Sequence, residues 1–364
     1  MRFPEFTEEW KAEQLDNIAT LSKGIGISKE QLSEDGEPCI LYGELYTKYK
    51  SEIIKQVESK TDINGSKLKR SKANDVIIPC SGETAVDIAT ARCVPFDNIL
   101  FGGDLNVISL HQYDGAFMSY QLNGKRKYDI ARVAQGVSIV HLYGEHLKAI
   151  KTYNPTLPEQ QKIAKLLSLL DDRIDTQNKI IEKLQSLIKG ITILLTTKGE
   201  PNTTIAQCLE CHSSTLQERE VSHSGLYKVF GANGLLGYTD MPQMNGDSIL
   251  IIKDGSGVGT VSYAQGDFSI IGTLNYLTAL SNYDVRYLYF VLSVFNFQSY
   301  KTGMAIPHIY FKDYGNAKIY CPPLSEQKRI ANVLGKLESK LFLEQNILVS
   351  FNLQKQYLLH QMFI

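Results

Sequence analysis

The sequence predicts an α+β chain built by tandem duplication. Two globular domains in pseudo-twofold arrangement are joined by two long helices that pack antiparallel as a coiled coil. Three observations predict this. The segment Leu157-Pro-Glu-Gln-Gln-Lys-Ile-Ala164 returns as Leu324-Ser-Glu-Gln-Lys-Arg-Ile-Ala331. Each copy opens a long stretch with apolar residues at helical spacing. The regions before the copies are instead rich in Gly, Tyr, Asn and β-branched residues, with short strand-like runs.

The offset of 167 residues (157 to 324) persists outside those eight positions. Upstream it aligns Gly136 with Gly303, Ile139 with Ile306, His141 with His308, Tyr143 with Tyr310, Tyr153 with Tyr320 and Pro155 with Pro322. Downstream it aligns Leu167 with Leu334, Leu170 with Leu337 and Ile180 with Ile347. Chance does not hold one register for that long, and a duplicated unit implies pseudo-twofold symmetry. The organisation read from this is a head at 1–155, a helix at 156–198, a second head at 199–322 and a second helix at 323–364.

Strand-like runs such as Val76–Ile78 and Ser248–Ile252 in the heads alternate with Gly-containing turns at Asn64-Gly65, Gly102-Gly103, Asn233-Gly234 and Asn245-Gly246. They predict curved, mostly antiparallel sheet, with a short buried helix within 285–300. The first long helix starts at Thr156-Leu-Pro-Glu159, which has capping-box spacing and a proline in the first turn. Gly199 and Pro201 end it. About 40 residues at 1.5 Å each give roughly 60 Å, far longer than an ordinary globular helix.

With Ile163 as heptad position a, Leu170, Gln177, Leu184 and Ile191 follow at a, and Leu166, Arg173, Ile180, Leu187 and Leu194 fall at d. Leu167, Ile174, Ile181, Ile188 and Leu195 fall at e, so the stripe is wide enough for a partner helix and a globular surface. The second copy repeats the pattern from Ile330, with polar breaks at Lys340 and Glu344 matching Arg173 and Gln177. Antiparallel packing with a facing d would bring Arg173 to Glu344 and Gln177 to Lys340, polar pairs that fix register at some cost in stability.

No apolar run approaches the roughly 20 residues that span a bilayer, and the first residues lack the apolar core of a signal peptide. Six scattered cysteines fit reduced thiols, and the expected location is cytoplasmic. The net charge of −1 argues against nucleic acid unless basic residues cluster locally or partners supply phosphate contacts. The first head carries 19 basic and 21 acidic side chains, and the second carries 7 and 10.

No catalytic machinery stands out. Cys208-Leu-Glu-Cys211-His212 has haem-attachment spacing but lacks an export signal, and it lacks the second Cys/His pair of a zinc site. Phe230-Gly-Ala-Asn-Gly234 and Gly255-Ser-Gly-Val-Gly259 read as turns, since neither has the surroundings of a nucleotide-binding loop. Asn154-Pro155 lacks the rest of an adenine methyltransferase motif. Glu58-Ser-Lys60 and Glu338-Ser-Lys340 end like nuclease sites, but the first lacks a metal-binding Asp preceded by proline and the second lies in the predicted coiled coil, so both read as solvated charge.

Local basic clusters are the nucleic-acid signal. Lys67, Lys69, Arg70 and Lys72 form one loop, and Lys125, Arg126, Lys127 and Tyr128 form another, with Arg92 as a further candidate. The second head offers Arg219, Lys228, Asn233, Lys253, Lys301 and His308. Lysine and arginine in loops track phosphates, while Arg, Asn and Gln read base edges. The repeated His141 and His308 either join that surface or orient the turn before each long helix.

These features together resemble the specificity subunit of type I restriction–modification enzymes over essentially the whole chain. The resemblance is carried by Arg2-Phe-Pro-Glu-Phe6 with Glu9-Trp10, the two helix starts, Tyr227-Lys-Val-Phe-Gly-Ala-Asn-Gly234 and the Gly303–His308 turn. It implies two target-recognition domains, each reading one half of a bipartite DNA target, with the antiparallel helices as spacer. Half-site centres about one DNA turn, roughly 34 Å, apart would follow. It further implies double-stranded DNA, two methylation subunits and restriction subunits as partners, and no membrane. S-adenosylmethionine, ATP and Mg²⁺ would sit on those partners and no cofactor on this chain, which would be non-catalytic by itself. Two other classes remain open: a fused methyltransferase or nuclease, and a coiled-coil scaffold that never reads DNA.

Overall fold

The computed structural model describes residues 2–64 and 67–363, and it folds as two compact units. The first comprises Met1–Asn178 with Asn346–Ile364, and the second Lys179–Gln345. The long helices run Leu157–Thr196 and Leu324–Gln361, so each unit holds one head, the start of the helix that follows it and the far end of the other helix. No described helix is long and apolar enough to cross a membrane.

The two heads repeat one topology. In the first unit, Ala19–Lys23, Leu105–Leu110, Asp75–Pro79 and Arg92–Val94 lie side by side as an antiparallel sheet. In the second, the order is Leu209–Ser213, Leu274–Ala279, Ser248–Ile252 and Val261–Ala264. The apolar runs of Val76–Ile78 and Ser248–Ile252 occupy inner strands that are buried throughout, which is why they lack polar alternation.

Each head adds a smaller sheet around one parallel pair: Glu37–Ile40 beside Leu100–Phe101, and Tyr227–Gly231 beside Asp267–Ile270. Each of those strands gains one antiparallel neighbour at the edge, Lys60–Thr61 and Lys69–Arg70 in the first unit, Gly234–Thr239 and Met244–Asn245 in the second. Short ribbons close the heads, Lys11–Gln14 on Lys151–Asn154 and Thr203–Thr204 on Lys318–Ile319.

A nine-residue helix covers each main sheet, Gly115–Asn123 and Val285–Ser293. The latter is shorter than the stretch the sequence suggested; a turn of 3₁₀ helix at Gln298–Tyr300 follows it. The side chain of Asp114 accepts from the Phe117 N–H at 2.7 Å, and that of Asp284 from the Tyr287 N–H at 2.8 Å, satisfying orphan donors at both helix starts.

The long helices pack antiparallel within each unit. In the first, Ile163, Ala164, Leu167 and Leu170 cluster with Phe351, Leu358 and Met362, and with Phe117 and Tyr120 of the head. In the second, Ile191 and Leu195 meet the cluster that contains Ile330, Ala331 and Leu334. Positions a and e form the buried face: Ile163, Leu167, Leu170 and Ile181 on one helix, Ile330, Leu334 and Leu358 on the other. The d row corrects the a-to-d seam expected from the sequence. Leu166, Ile180, Leu187 and Leu194 are exposed, as are Val333 and Ile347. Facing a globular head as well as a helix rotates the buried stripe away from d. Arg173 and Lys340 therefore lie on the exposed row, while Gln177 and Glu344 are buried at a, and Lys340 pairs with Glu344 one turn along its own helix.

Candidate nucleic-acid interface

The repeated Glu-Gln of the helix starts acts as a clamp between helix and head. In the first unit, Gln160 accepts from the Asp114 N–H at 2.9 Å and donates to the Pro155 carbonyl at 2.8 Å. In the second, Gln327 accepts from the Asp284 N–H at 2.9 Å and donates to the Pro322 carbonyl at 2.8 Å. Both glutamines are buried, so each amide satisfies one donor and one acceptor that water cannot reach. A primary amide is what this position needs, because only it offers both functions in one plane.

A second repeated contact ties head to helix. Tyr120 donates to Asp171 at 2.7 Å, and Tyr289 donates to Glu338 at 2.8 Å, with the two carboxylates at equivalent positions of the repeat. Burial and the neighbouring carboxylate push both phenols far up, so they remain donors. Glu338 also pairs with Arg286, which answers its Glu-Ser-Lys motif as a structural contact.

The basic candidates of the first unit separate into two places. Lys69 and Lys72 line one cleft with Thr20, Ser22, Ser109 and His111, and Lys67 is exposed close by in sequence; Gly65 and Ser66 of this loop lie outside the described residues. Arg70 is engaged with Glu37, donating to both carboxylate oxygens at 2.6 and 2.9 Å. Those bonds hold the Glu37 carboxyl below the usual range. Asn74 beside this cleft meets the start of the head helix, accepting from the Gly115 N–H at 2.5 Å and donating to the Tyr113 carbonyl at 2.8 Å. Lys125, Arg126, Lys127 and Tyr128 follow the other end of that helix, about 13 Å away. There Arg126 lies 5.2 Å over the Tyr153 ring and 3.3 Å from Asp129.

Arg92 stands apart from these loops. It is buried, with Nε donating to the Tyr49 carbonyl at 2.8 Å and a terminal nitrogen to the Ala91 carbonyl at 3.0 Å. Burial lowers its pKa, and two of its donors are taken by backbone carbonyls, while the residue also lines a cavity with Tyr46, Asp87 and Ile139.

In the second unit, Lys253, Lys301 and His308 are brought together by backbone pairing: His308 bridges both Asp254 and Thr302, and the Ile309 N–H donates to the Lys253 carbonyl at 2.9 Å. Lys228 sits exposed on Tyr227–Gly231, and Asn233 sits in the two-residue turn to Gly234–Thr239, where Gly234 adopts φ +97°. Arg219 is exposed in the turn Glu218–Glu220, between two acidic residues.

The remaining motifs resolve as structure. Cys208 is buried 3.9 Å from the sulfur of Cys321, while Cys211 lies on the next strand and His212 stacks on Tyr276 at 4.7 Å. The described residues contain no cluster of three or more metal-ligating side chains. Gly255–Gly259 is a turn between two sheet strands, with positive φ at Gly255 and Gly259.

Composition and charge did not disclose the repeated loops that precede the helix starts. Gln135 and His141 exchange backbone hydrogen bonds of 2.9 and 2.7 Å, and Thr302 and His308 exchange bonds of 2.9 and 2.8 Å, closing two matching five-residue loops. The only signal for them in the sequence was the alignment of Gly136, Ile139, His141 and Tyr143 with their counterparts.

Two copies of one α+β head, each clamped to the start of its own long helix, define a duplicated head-and-helix architecture. A family model described as "Type I restriction modification DNA specificity domain" matches residues 7–186 and 206–350. The chain belongs to that family. It is similar to the type I restriction enzyme EcoprrI specificity subunit of Escherichia coli, with 21% identity over 174 residues, 48% of this chain and 39% of that protein. It is also similar to the type I restriction enzyme MjaVIII specificity subunit of Methanocaldococcus jannaschii, with 27% identity over 201 residues, 53% of this chain and 43% of that protein. The matches thus span less than half the length of these curated relatives.

Among solved structures, the type I S subunit from M. genitalium has the same fold, with TM-score 0.70 and 19% identity over 100% of this chain and 97% of that one. A chain from a type I R-M system solved for complex assembly and conformational transition gives TM-score 0.58 and 14% identity, covering 97% of each.

Proposed function

We propose that this chain directs a type I restriction–modification complex to its DNA, each head reading one half of a bipartite target. The helices set the separation of the half-sites and dock methylation subunits, and restriction subunits complete the assembly. The observation that carries this reading is the duplicated glutamine clamp. A rigid joint of the same geometry at each helix start supports two heads held at a spacing fixed by helix length. The exposed apolar row along the helices, including Leu166, Leu187, Leu194, Val333 and Ile347, suits docking of partner subunits.

In this reading the chemistry sits elsewhere: S-adenosylmethionine on the methylation subunits, ATP and Mg²⁺ on the restriction subunits. Closure of methylation subunits around DNA supplies the phosphate contacts that a chain of net charge −1 lacks. Lys69 and Lys72 in the first head, with Lys253, Lys301 and His308 in the second, are the contacts favoured by placement. Lys67, Lys228 and Asn233 are exposed additions.

The test is to express the chain with its cognate methylation subunit and map N6-methyladenine across the host genome. A bipartite motif with a fixed unspecified spacer is expected. A stable complex that adds no methylation would refute DNA reading by this chain and favour the scaffold alternative.

A further inference from the structure

The two closed loops expose apolar side chains to an unusual degree. Val137 and Ile139 are 98% and 60% exposed, and Met304 and Ile306 are 105% and 68% exposed. Both loops are preformed. Their closing pairs are doubly hydrogen-bonded, and the strand that follows is anchored further in, by Leu142 N–H on the Cys80 carbonyl at 2.8 Å and Ile309 N–H on the Lys253 carbonyl at 2.9 Å. Gly136 at φ +121° and Gly303 at φ +87° turn each loop so tightly that an added Cβ would lie 2.1 Å from the Ile139 oxygen and 2.4 Å from the Ile306 oxygen. Glycine is required at both. His308 braces its loop through a 3.3 Å contact of Nδ1 with the Ile306 carbonyl.

Each apolar tip stands beside an aromatic and cationic flank. His141 stacks near Tyr143 at 6.2 Å, with Lys23 5.8 Å from that ring; His308 meets Tyr310 at 4.9 Å, with Lys312 5.2 Å from that ring. The histidine and tyrosine are repeated in sequence, whereas the lysines come from different places, so the same surface chemistry is assembled twice by different routes.

We infer that residues 136–139 and 303–306 form a matched pair of apolar probes that enter a DNA groove and bear on base-pair edges. This inference rests on the DNA-reading function proposed above. The charge of the flank points to duplex DNA, because lysines beside each tip suit phosphates at a groove's rim. Apolar contact with bases occurs either as a wedge that unstacks a step or as packing on a thymine methyl.

The experiment uses the complex of this chain with its methylation subunit and a duplex carrying the mapped motif, with binding measured over a salt series. Because the tips are exposed, Val137→Ser with Ile139→Ser, and Met304→Ser with Ile306→Ser, leave thermal stability unchanged. Each pair is expected to weaken binding about tenfold or more while leaving the slope of log affinity against log salt at its parental value, the mark of a lost uncharged contact. A 2-aminopurine probe walked through the affected half-site separates a wedge, which raises its fluorescence, from methyl packing, which thymine-to-uracil replacement mimics.

If the parent discriminates its motif and both variants bind equally well, the loops do not touch bases and the inference falls alone. Loss of the methylation subunit from the variants would overturn it in favour of a protein contact. If the parent complex binds its motif no better than unrelated duplex, the DNA-reading function fails and takes the inference with it.

Discussion

The two units share a scaffold, yet they fasten it to the helices differently. In the first, residues 41–59 separate the first two strands of the small sheet and reach the helices. Ser51 donates to Asp171 at 2.9 Å, Lys55 pairs with Asp172, and Glu52 meets Lys355 at 2.5 Å. Lys355 also lies 2.7 Å from Asp171, so one largely buried cation bridges two buried carboxylates, with the Arg92 guanidinium acting on both. In the second unit those strands are joined by the tight Asn233 turn, and the carboxylate of Glu338 is met by Arg286 of the head helix. Arg286 is a quarter exposed and stacked 4.1 Å over the Tyr263 ring.

The N-terminal arm widens the difference. Arg2 grips the fully buried Glu159 through two 2.7 Å bonds, whereas the equivalent Glu326 is partly exposed and paired with Lys198. What was duplicated is the geometry of the joint; the charges that brace it were recruited separately. Long-range ion pairs can be replaced piecemeal, but a buried amide with two fixed partners cannot.

This contrast is sharpest at the cations. Lys355→Met removes the bridging cation and leaves Glu52 and Asp171 with only the nearby Arg92 to offset their charge, and about 3 kcal/mol of stability should be lost from the first unit. Arg286→Met in the second should cost about 1–2 kcal/mol, since its pair is partly solvated and its ring contacts are modest. Hydrogen exchange resolved by unit measures both, and equal losses would break the comparison.

The same network has a pH signature. Burial acts to depress the Lys355 ammonium, but Glu52 and Asp171 outweigh it and raise its pKa above the ordinary value. A raised pKa in the folded state means that the contribution is complete below the unfolded value, about 10.4, and is lost only as pH rises through the folded one. Exchange in the first unit should therefore show no change from this group between neutral pH and about pH 10.

Where the units are alike, their responses should match. Gln160→Ala and Gln327→Ala each strand one buried N–H and one carbonyl, costing about 2 kcal/mol apiece. A twofold or greater disparity between them would show that the two joints are not equivalent. Gly136→Ala and Gly303→Ala should each strain one loop by about 1–3 kcal/mol, read as faster exchange at His141 or His308.

The smallest effects are electrostatic. In the DNA-bound complex, Lys69→Ala with Lys72→Ala should reduce the salt slope by about one per lysine in contact. Arg70→Ala should change it less, because Glu37 already holds that guanidinium. A larger change for Arg70 would mean that the Glu37 pair opens on DNA.

The sequence by itself determined the duplication, the α+β class and the long helices. Those features are written in periodic and local patterns that need no distant partner: heptad spacing, the strand runs at Val76–Ile78 and Ser248–Ile252, and glycine turns. It also marked the two glutamines as special without saying why, since their partners at Asp114 and Asp284 lie 46 and 43 residues away.

Only the tertiary structure decided which face of each helix is buried. Apolar residues at a, d and e were equally available, and the head selected e over d because a helix with two neighbours turns its stripe between them. Tertiary structure likewise decided the standing of the cations. Arg92 lies among the core strands and Arg70 across a strand pair from Glu37, and nothing in their residue type separates them from the exposed Lys72. The most exposed apolar tips are not marked by residue type either, for the same reason. Exposure is a property of where the chain returns, and it was set by the backbone pairs at Gln135–His141 and Thr302–His308.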